Sequence, residues 1–395
     1  MTSYLEIKNA ELEWFRRFAP DLQIPSSFDP LMTKFQLMKE IKAKTLLSLP
    51  NSVTMIWPLK ESFAGKKISY RYQRQDFIIE GHSPLEVYYP GLKTSLHVNG
   101  HFTRSGQSAT FGLSLALKNT YPELKLQHLS QYTYFESLRV FDGLKITSDK
   151  ASDTAFMDSS QLETDPLSIL VNKTLSRLIV DTTNWNINSG NIQKIIDWAQ
   201  EKKIELFLIR SHLKLDCLGA EYGLLGSVVK LSHKEDKVWD KFFLETLSYA
   251  GLLAVHEQIY PFLWDEDFLR LTAARTERIR QNTQYLTTEL SSFIKNLKHP
   301  LRLKILDHNL FFGIFYEGKA DHHPEKFLKL SYLHQIPAKY CDSFGFDFLS
   351  LTNVVSFHES TQESSLRFCS GDNTERREDT LQLIKDYLVF FDQRT

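Results

Sequence analysis

Between residues 95 and 255 the chain alternates short apolar runs with amphipathic stretches, and few folds accept that pattern. The spacing predicts a helix over 106–120, strands over 126–134, 154–157 and 175–181, a helix over 192–200, and strands over 204–210 and 226–231. Strands separated by helices argue for a mainly parallel sheet covered on both faces. In such sheets ligands bind at the carboxyl ends of the strands. Asp181, Ser211 and Lys214 all fall at or just beyond such ends.

A chain of 395 residues exceeds one simple core. The run 266–297 carries Phe268, Leu269, Leu271, Ile279, Leu286, Leu290, Phe293 and Ile294, consistent with a long helix leaving the large domain. After Pro300 short strands return at 301–306, 311–316, 354–357 and 365–368, and a helix over 378–391 ends the chain. That reads as a small α+β domain. Residues 1 to about 60 read as helical and irregular, with Phe35, Leu37, Met38 and Ile41 on one apolar face. Aromatic residues crowd the stretch from Tyr70 to Tyr89, which suggests buried loops or an interface more than a regular helix. The expected class is α/β, in three parts. Residues 1–94 form a segment serving site and interface, 95–265 the large ligand-binding domain, and 266–395 the linking helix and small domain.

A formal net charge of −1 leaves no basic field for nucleic acid or an anionic membrane. Three cysteines, Cys217, Cys341 and Cys369, form no CxxC pair and no disulfide framework. No secretory signal and no apolar stretch of bilayer length is visible, so the expected location is cytoplasmic. No HExxH frame, P-loop or Gly-x-Ser-x-Gly elbow occurs, and no metal is expected.

Chemistry gathers around Lys214, in Ile209-Arg210-Ser211-His212-Leu213-Lys214, and around Asp181, in Leu178-Ile179-Val180-Asp181-Thr182-Thr183. A lysine can form a Schiff base, and an aspartate can hold a pyridine nitrogen cationic. These are the two groups pyridoxal phosphate requires of a protein. The two residues stand 33 positions apart, room for one helix and one strand. Upstream, Ser105-Gly106-Gln107-Ser108-Ala109-Thr110 opens a helix, and a helix start is a natural phosphate site.

Five segments in this order resemble the fold type I pyridoxal-phosphate-dependent enzymes (the aspartate aminotransferase superfamily), closest to their cysteine/methionine-metabolism branch. The resemblance covers roughly residues 95 to 395. It implies a large cofactor-binding domain with a mainly parallel central sheet flanked by helices, a small C-terminal α+β domain, and pyridoxal 5'-phosphate as cofactor. Ser105, Gly106 and Gln107 match the family's phosphate-binding turn, and Ser211 matches its phosphate-binding serine three before the lysine. Tyr132-Thr133-Tyr134-Phe135 resembles the segment whose tyrosine stacks on the ring, with Tyr134 the better register and Phe135 the alternative. Asp181 and Thr183 take the positions of Asp-Asn-Thr. Gly219-Ala220-Glu221-Tyr222-Gly223 resembles the stretch returning to the sheet. Arg367, in Ser365-Leu366-Arg367-Phe368-Cys369-Ser370-Gly371, matches the arginine that grips the substrate α-carboxylate. Tyr72 and Arg74 resemble a Tyr-x-Arg element that a neighbouring subunit contributes.

The chain also departs from the pattern. Leu213 stands where the branch has a hydroxyl residue, Tyr222 where a phosphate-binding arginine follows the lysine elsewhere, and the Asn-Pro-x-x-Pro-Thr-Gly run is absent. Arg104, Arg210 and Arg74 remain as counter-cations for the phosphate. The resemblance implies an enzyme acting on a small amino acid, by elimination or replacement at Cβ or Cγ, and assembled as a homodimer or homotetramer. Transamination is the first alternative, and a catalytically inactive member of the fold serving as binding or regulatory protein is the second.

Overall fold

The computed structural model describes residues 3–21, 29–47, 60–63, 66–70, 77–79, 83–89, 91–130, 134–159, 165–185, 189–219, 224–255, 260, 262–263, 265–306, 310–316, 323–358 and 361–393. Two helices lead, α1 (Tyr4–Arg16) and α2 (Pro30–Leu47), with Leu37, Met38 and Ile41 buried as their spacing requires. A small antiparallel sheet follows, β1 (Lys60–Phe63), β2 (Lys66–Tyr70) and β3 (Phe77–Ile79), and then a one-turn helix α3 (Pro84–Tyr88). Neither was legible as regular structure. The aromatic run does end in two buried rings, Tyr88 and Tyr89.

The central sheet has seven strands: β4 (His97–Thr103), β5 (Lys125–His128), β6 (Thr147–Ser148), β7 (Thr154–Asp158), β8 (Arg177–Asp181), β9 (Glu205–Ser211) and β10 (Gly226–Ser232). Their order is β4-β10-β9-β8-β7-β5-β6. The pairs β5/β6, β5/β7, β7/β8 and β8/β9 are parallel, while β10 runs antiparallel to both β9 and β4. Interleaved helices are α4 (Gly106–Thr120), α5 (Phe135–Gly143), α6 (Pro166–Leu170), α7 (Gly190–Lys202) and α8 (Lys237–Tyr249). Helices α4 and α8 bury Leu113, Leu117 and Phe243 against Phe207, Ile209 and Val228 of the sheet. The inner parallel strands β7, β8 and β9 are apolar over most of their length because a parallel sheet is covered on both faces.

The strand β5 is much shorter than the sequence predicts. β5 stops at His128 rather than Tyr134, because the Ser130 side chain takes over the next pairing. Its Oγ accepts from the Asp158 N–H at 2.6 Å and donates to the Asp158 carbonyl at 3.1 Å.

The chain continues through α9 (Glu266–Phe293), strands β11 (Arg302–Leu306) and β12 (Phe311–Tyr316), α10 (Pro324–Leu333), strands β13 (Ala338–Tyr340), β14 (Leu349–His358) and β15 (Thr361–Cys369), and α11 (Arg377–Asp392). These strands form a five-stranded sheet ordered β11-β12-β15-β14-β13, whose core includes Leu286, Phe312, Leu366 and Tyr387. Two compact units result. Residues Leu12–Arg270 form one, and Met1–Glu11 joins Leu271–Thr395 in the other. No described helix is long and apolar enough to cross a membrane.

Candidate active site

Asp181, Ser211 and the turn before α4 meet at one end of the central sheet. Ser105 caps α4: its Oγ accepts from the Ser108 N–H at 3.0 Å. Gly106 then lies against the end of β9, where a side-chain carbon would come within 2.7 Å of Ser211 Cβ. Gly226 opens β10 opposite Ser211, and a side-chain carbon there would sit 2.2 Å from the Ser105 carbonyl carbon and 2.5 Å from the Gly106 nitrogen. Only glycine permits such backbone approach. The helix start, the end of β9 and the start of β10 are therefore packed backbone to backbone. Gln107 follows in the first turn, with its Oε1 buried and taking no hydrogen bond among the described residues.

A hydrogen-bonded chain joins this corner to Asp181. The Thr183 N–H donates to Asp181 Oδ1 at 2.9 Å, and Thr183 Oγ1 accepts from the Ser211 N–H at 3.0 Å. On the neighbouring strand Asp158 stands in register with Asp181, and its Oδ2 accepts from the Tyr134 N–H at 2.8 Å. Burial, then the charge of Asp158, pushes the Asp181 carboxyl up to about 7. Two acids side by side at parallel strand ends are poised to receive a cation.

Lys214 is half-buried in the loop that leaves β9. Tyr134 precedes α5 as its capping residue, packed edge-on against the exposed Phe135 at 5.0 Å. Arg367 lies in β15 of the other unit, where its Nη2 donates to the Asp342 carbonyl at 2.6 Å. Tyr72 and Arg74 lie outside the described residues.

Of the proposed phosphate cations, Arg104 is exposed beside the turn, its Nε donating to the Leu253 carbonyl at 3.3 Å. Arg210 must be set aside. Side chains alternate along a strand, so Arg210 leaves β9 on the face opposite Ser211 and the Gly106 turn. There it is wholly engaged with Asp216 and two carbonyls.

Sequence reasoning missed Asp158 and the buried set Arg210, His212 and Asp216. A signal for the latter was present: an arginine ending an apolar strand, with an acid six residues on, asks for a local ion pair.

The arrangement brings together a helix start, a half-buried lysine on the loop that leaves β9 and a raised carboxyl at the end of the neighbouring strand β8. No protein-family model matches the chain, and no curated protein sequence matches it. Solved structures do. Cystathionine gamma synthase from Xanthomonas oryzae pv. oryzae, in complex with aminoacrylate and cysteine, superposes with a TM-score of 0.54 at 13% identity, over 85% of this chain and 93% of that one. Cystathionine gamma-lyase from yeast gives 0.52 at 12% identity, over 75% of this chain and 81% of that one. An aromatic amino acids aminotransferase from Psychrobacter sp. B6, cocrystallised with aspartic acid, gives 0.51 at 15% identity, over 95% and 96% of the two chains. The chain shares the fold of these proteins, as the order of its motifs implied.

Proposed function

We propose that this chain is a pyridoxal-phosphate-dependent enzyme that acts on an amino acid, by elimination or replacement at Cβ or Cγ. The observation that carries the reading is the three-way backbone contact of Gly106, Ser211 and Gly226 at one end of a mainly parallel sheet. The fold shared with cystathionine gamma synthase, cystathionine gamma-lyase and an aromatic amino acids aminotransferase supports a pyridoxal-phosphate-dependent enzyme acting on an amino acid, and the choice of elimination or replacement rests on the sequence resemblance.

The residues fit the cofactor. A phosphate dianion suits the start of α4: the first N–H groups of a helix lack intrahelical acceptors, and Ser105 Oγ takes only that of Ser108. Gly106, Gln107 and the Ser211 hydroxyl are the donors assigned to it, with Arg104 as the neighbouring cation. A side chain at Gly226 would collide with the backbone of this turn. The Asp181 carboxyl is raised because the protein buries it beside another acid, and a protonated pyridine nitrogen supplies the missing positive charge.

Bound there, the cofactor supplies an aldehyde that captures amines and a ring that accepts electron density. Asp181 keeps a proton on the ring nitrogen by accepting its hydrogen bond, and Thr183 holds the Asp181 carboxylate in place. Lys214 would hold the aldehyde carbon, and its free amine would serve as the base for the proton on the substrate Cα. Tyr134 would stack on the ring and move protons, as the resemblance implies. Arg367 takes the α-carboxylate through its planar fork. Tyr72 and Arg74 are assigned the substrate side by resemblance alone.

Purified protein given pyridoxal phosphate is expected to absorb at about 410–430 nm, as the bound cofactor does. No band would sink the reading, and a band retained in Lys214→Ala would show that another lysine is used. Release of a ketoacid with ammonia from a sulfur-type amino acid supports elimination. Build-up of pyridoxamine phosphate instead would make the enzyme an aminotransferase.

A further inference from the structure

The polypeptide on both sides of Lys214 is tied to one buried carboxylate that the chemistry above does not use. Asp216 is fully buried and binds Arg210 with both oxygens, Nε to Oδ2 at 2.6 Å and Nη2 to Oδ1 at 2.7 Å. Its Oδ2 also meets His212 Nδ1 at 2.7 Å. Arg210 Nη1 reaches on to the carbonyl of Thr182 and, at 2.9 Å, to that of Trp185, in the segment that follows Asp181. His212 Nε2 meets Ser227 Oγ at 2.8 Å, next to the Gly226 that packs on the phosphate turn. Tyr88 stacks on the His212 ring at 3.6 Å.

The order Asp216, His212, Ser227 is that of a hydrolase relay, yet burial excludes that role. Ser227 is 5% exposed and His212 not at all, and Arg210 occupies both carboxylate oxygens. Burial drives His212 down to about 4, so it is a neutral connector at ordinary pH. The set instead joins three segments assigned to the cofactor: the one after Asp181, the Lys214 loop, and the start of β10. The loop is folded back on itself, with Leu218 and Gly219 at φ +51° and +73° and Cys217 Sγ donating to the Leu213 carbonyl at 3.0 Å. A buried ion pair is a poor source of stability against apolar side chains of the same shape, but it fixes geometry through directional bonds.

We propose that Asp216 is a positioning residue for Lys214, holding its loop in register with the segment that follows Asp181 through Arg210 and with β10 through His212. The proposal rests on Lys214 as the cofactor-bearing lysine.

The test uses the full-length chain, stripped of cofactor and mixed with pyridoxal phosphate. Lys214 condenses with the aldehyde with loss of water, and borohydride delivers hydride to the resulting carbon–nitrogen double bond, leaving a stable label. Mass spectrometry follows labelling of Lys214 relative to surface lysines over time. Two variants are compared with wild type: Asp216→Asn, and the charge-free pair Arg210→Met with Asp216→Leu, in which no buried charge is left alone. Each is checked by circular dichroism and thermal melting. In the folded variants the Lys214-to-surface ratio is expected to fall roughly tenfold or more, the effect of a misplaced reacting group. A folded variant labelled at the wild-type rate overturns the proposal, as does failure of both variants to fold, which would make the contact structural. Wild type unlabelled at Lys214 removes the lysine assignment itself, a distinct outcome that takes the proposal with it.

Discussion

Gly226 lies so close to Ser105 that a side-chain carbon on it would stand 2.2 Å from the Ser105 carbonyl carbon. Backbone cannot yield as the end of a long side chain can, so Gly226→Ala must push the turn away from β10. The expected cost is about 1–3 kcal/mol of stability, typical of overpacking. Affinity for pyridoxal phosphate should fall by more than this predicts, since the displaced turn carries the donors. Titration of the cofactor absorbance checks it, and unchanged affinity would remove the turn from the phosphate site.

Asp181 makes the cofactor-free chain sensitive to pH in a defined direction. Its carboxyl is raised to about 7 by burial and by Asp158, against about 4 in an unfolded chain. Between about pH 4 and 7 the folded state therefore holds a proton that the unfolded state has released. Its stabilising effect is complete below the unfolded value and lost as pH rises through the folded one. Melting temperatures of wild type and Asp181→Asn should diverge between about pH 4 and 7, the asparagine variant gaining, and run parallel above that. A difference independent of pH would show that Asp181 is not raised. Adding pyridoxal phosphate should shrink the slope, because a cationic ring nitrogen stabilises the ionised acid.

In the C-terminal unit, Lys8 reaches three acids: Asp372 at 2.7 Å, Glu11 at 2.9 Å and Asp347 at 3.2 Å. Arg275 and Arg278 complete a set of three cations and three anions, with Arg275 on Asp347 and Arg278 on Glu11 and Asp372. Lys8→Met leaves buried negative charge in excess. The expected loss is about 3–5 kcal/mol, the cost of orphaning a buried charge. Urea unfolding followed by circular dichroism measures it; a loss below about 1 kcal/mol would place this cluster with ordinary surface pairs.

Arg367 packs its guanidinium 5.5 Å from the ring centres of both Phe311 and Phe344 and donates to Asp342. As the carboxylate clamp it is expected to act on binding. Arg367→Lys should raise KM for the amino acid about ten- to hundredfold, the worth of a charge-assisted bidentate bond, with kcat far less affected. The matching amine, lacking the carboxylate, should bind both proteins alike. Equal losses for both compounds would assign Arg367 to packing.

Periodicity along the chain dictates the layers and the order of the chemistry. Apolar runs alternating with helical stretches require a covered parallel sheet, and from that alone Asp181, Ser211 and Lys214 fall at the strand ends where ligands bind. Relationships across strands and between distant segments arise only once the chain is folded. The pairing of Asp158 with Asp181 depends on the register of β7 against β8, and the role of Gly226 on which backbone it meets. Arg210 shows the division most plainly. Strand alternation, readable in sequence, places it opposite Ser211, but its engagement with Asp216 depends on a loop that doubles back through positive φ at Leu218. Lys8 finds acids more than three hundred residues away. Local periodicity fixes which face a side chain takes, whereas burial and long-range pairing decide its charge and its partner.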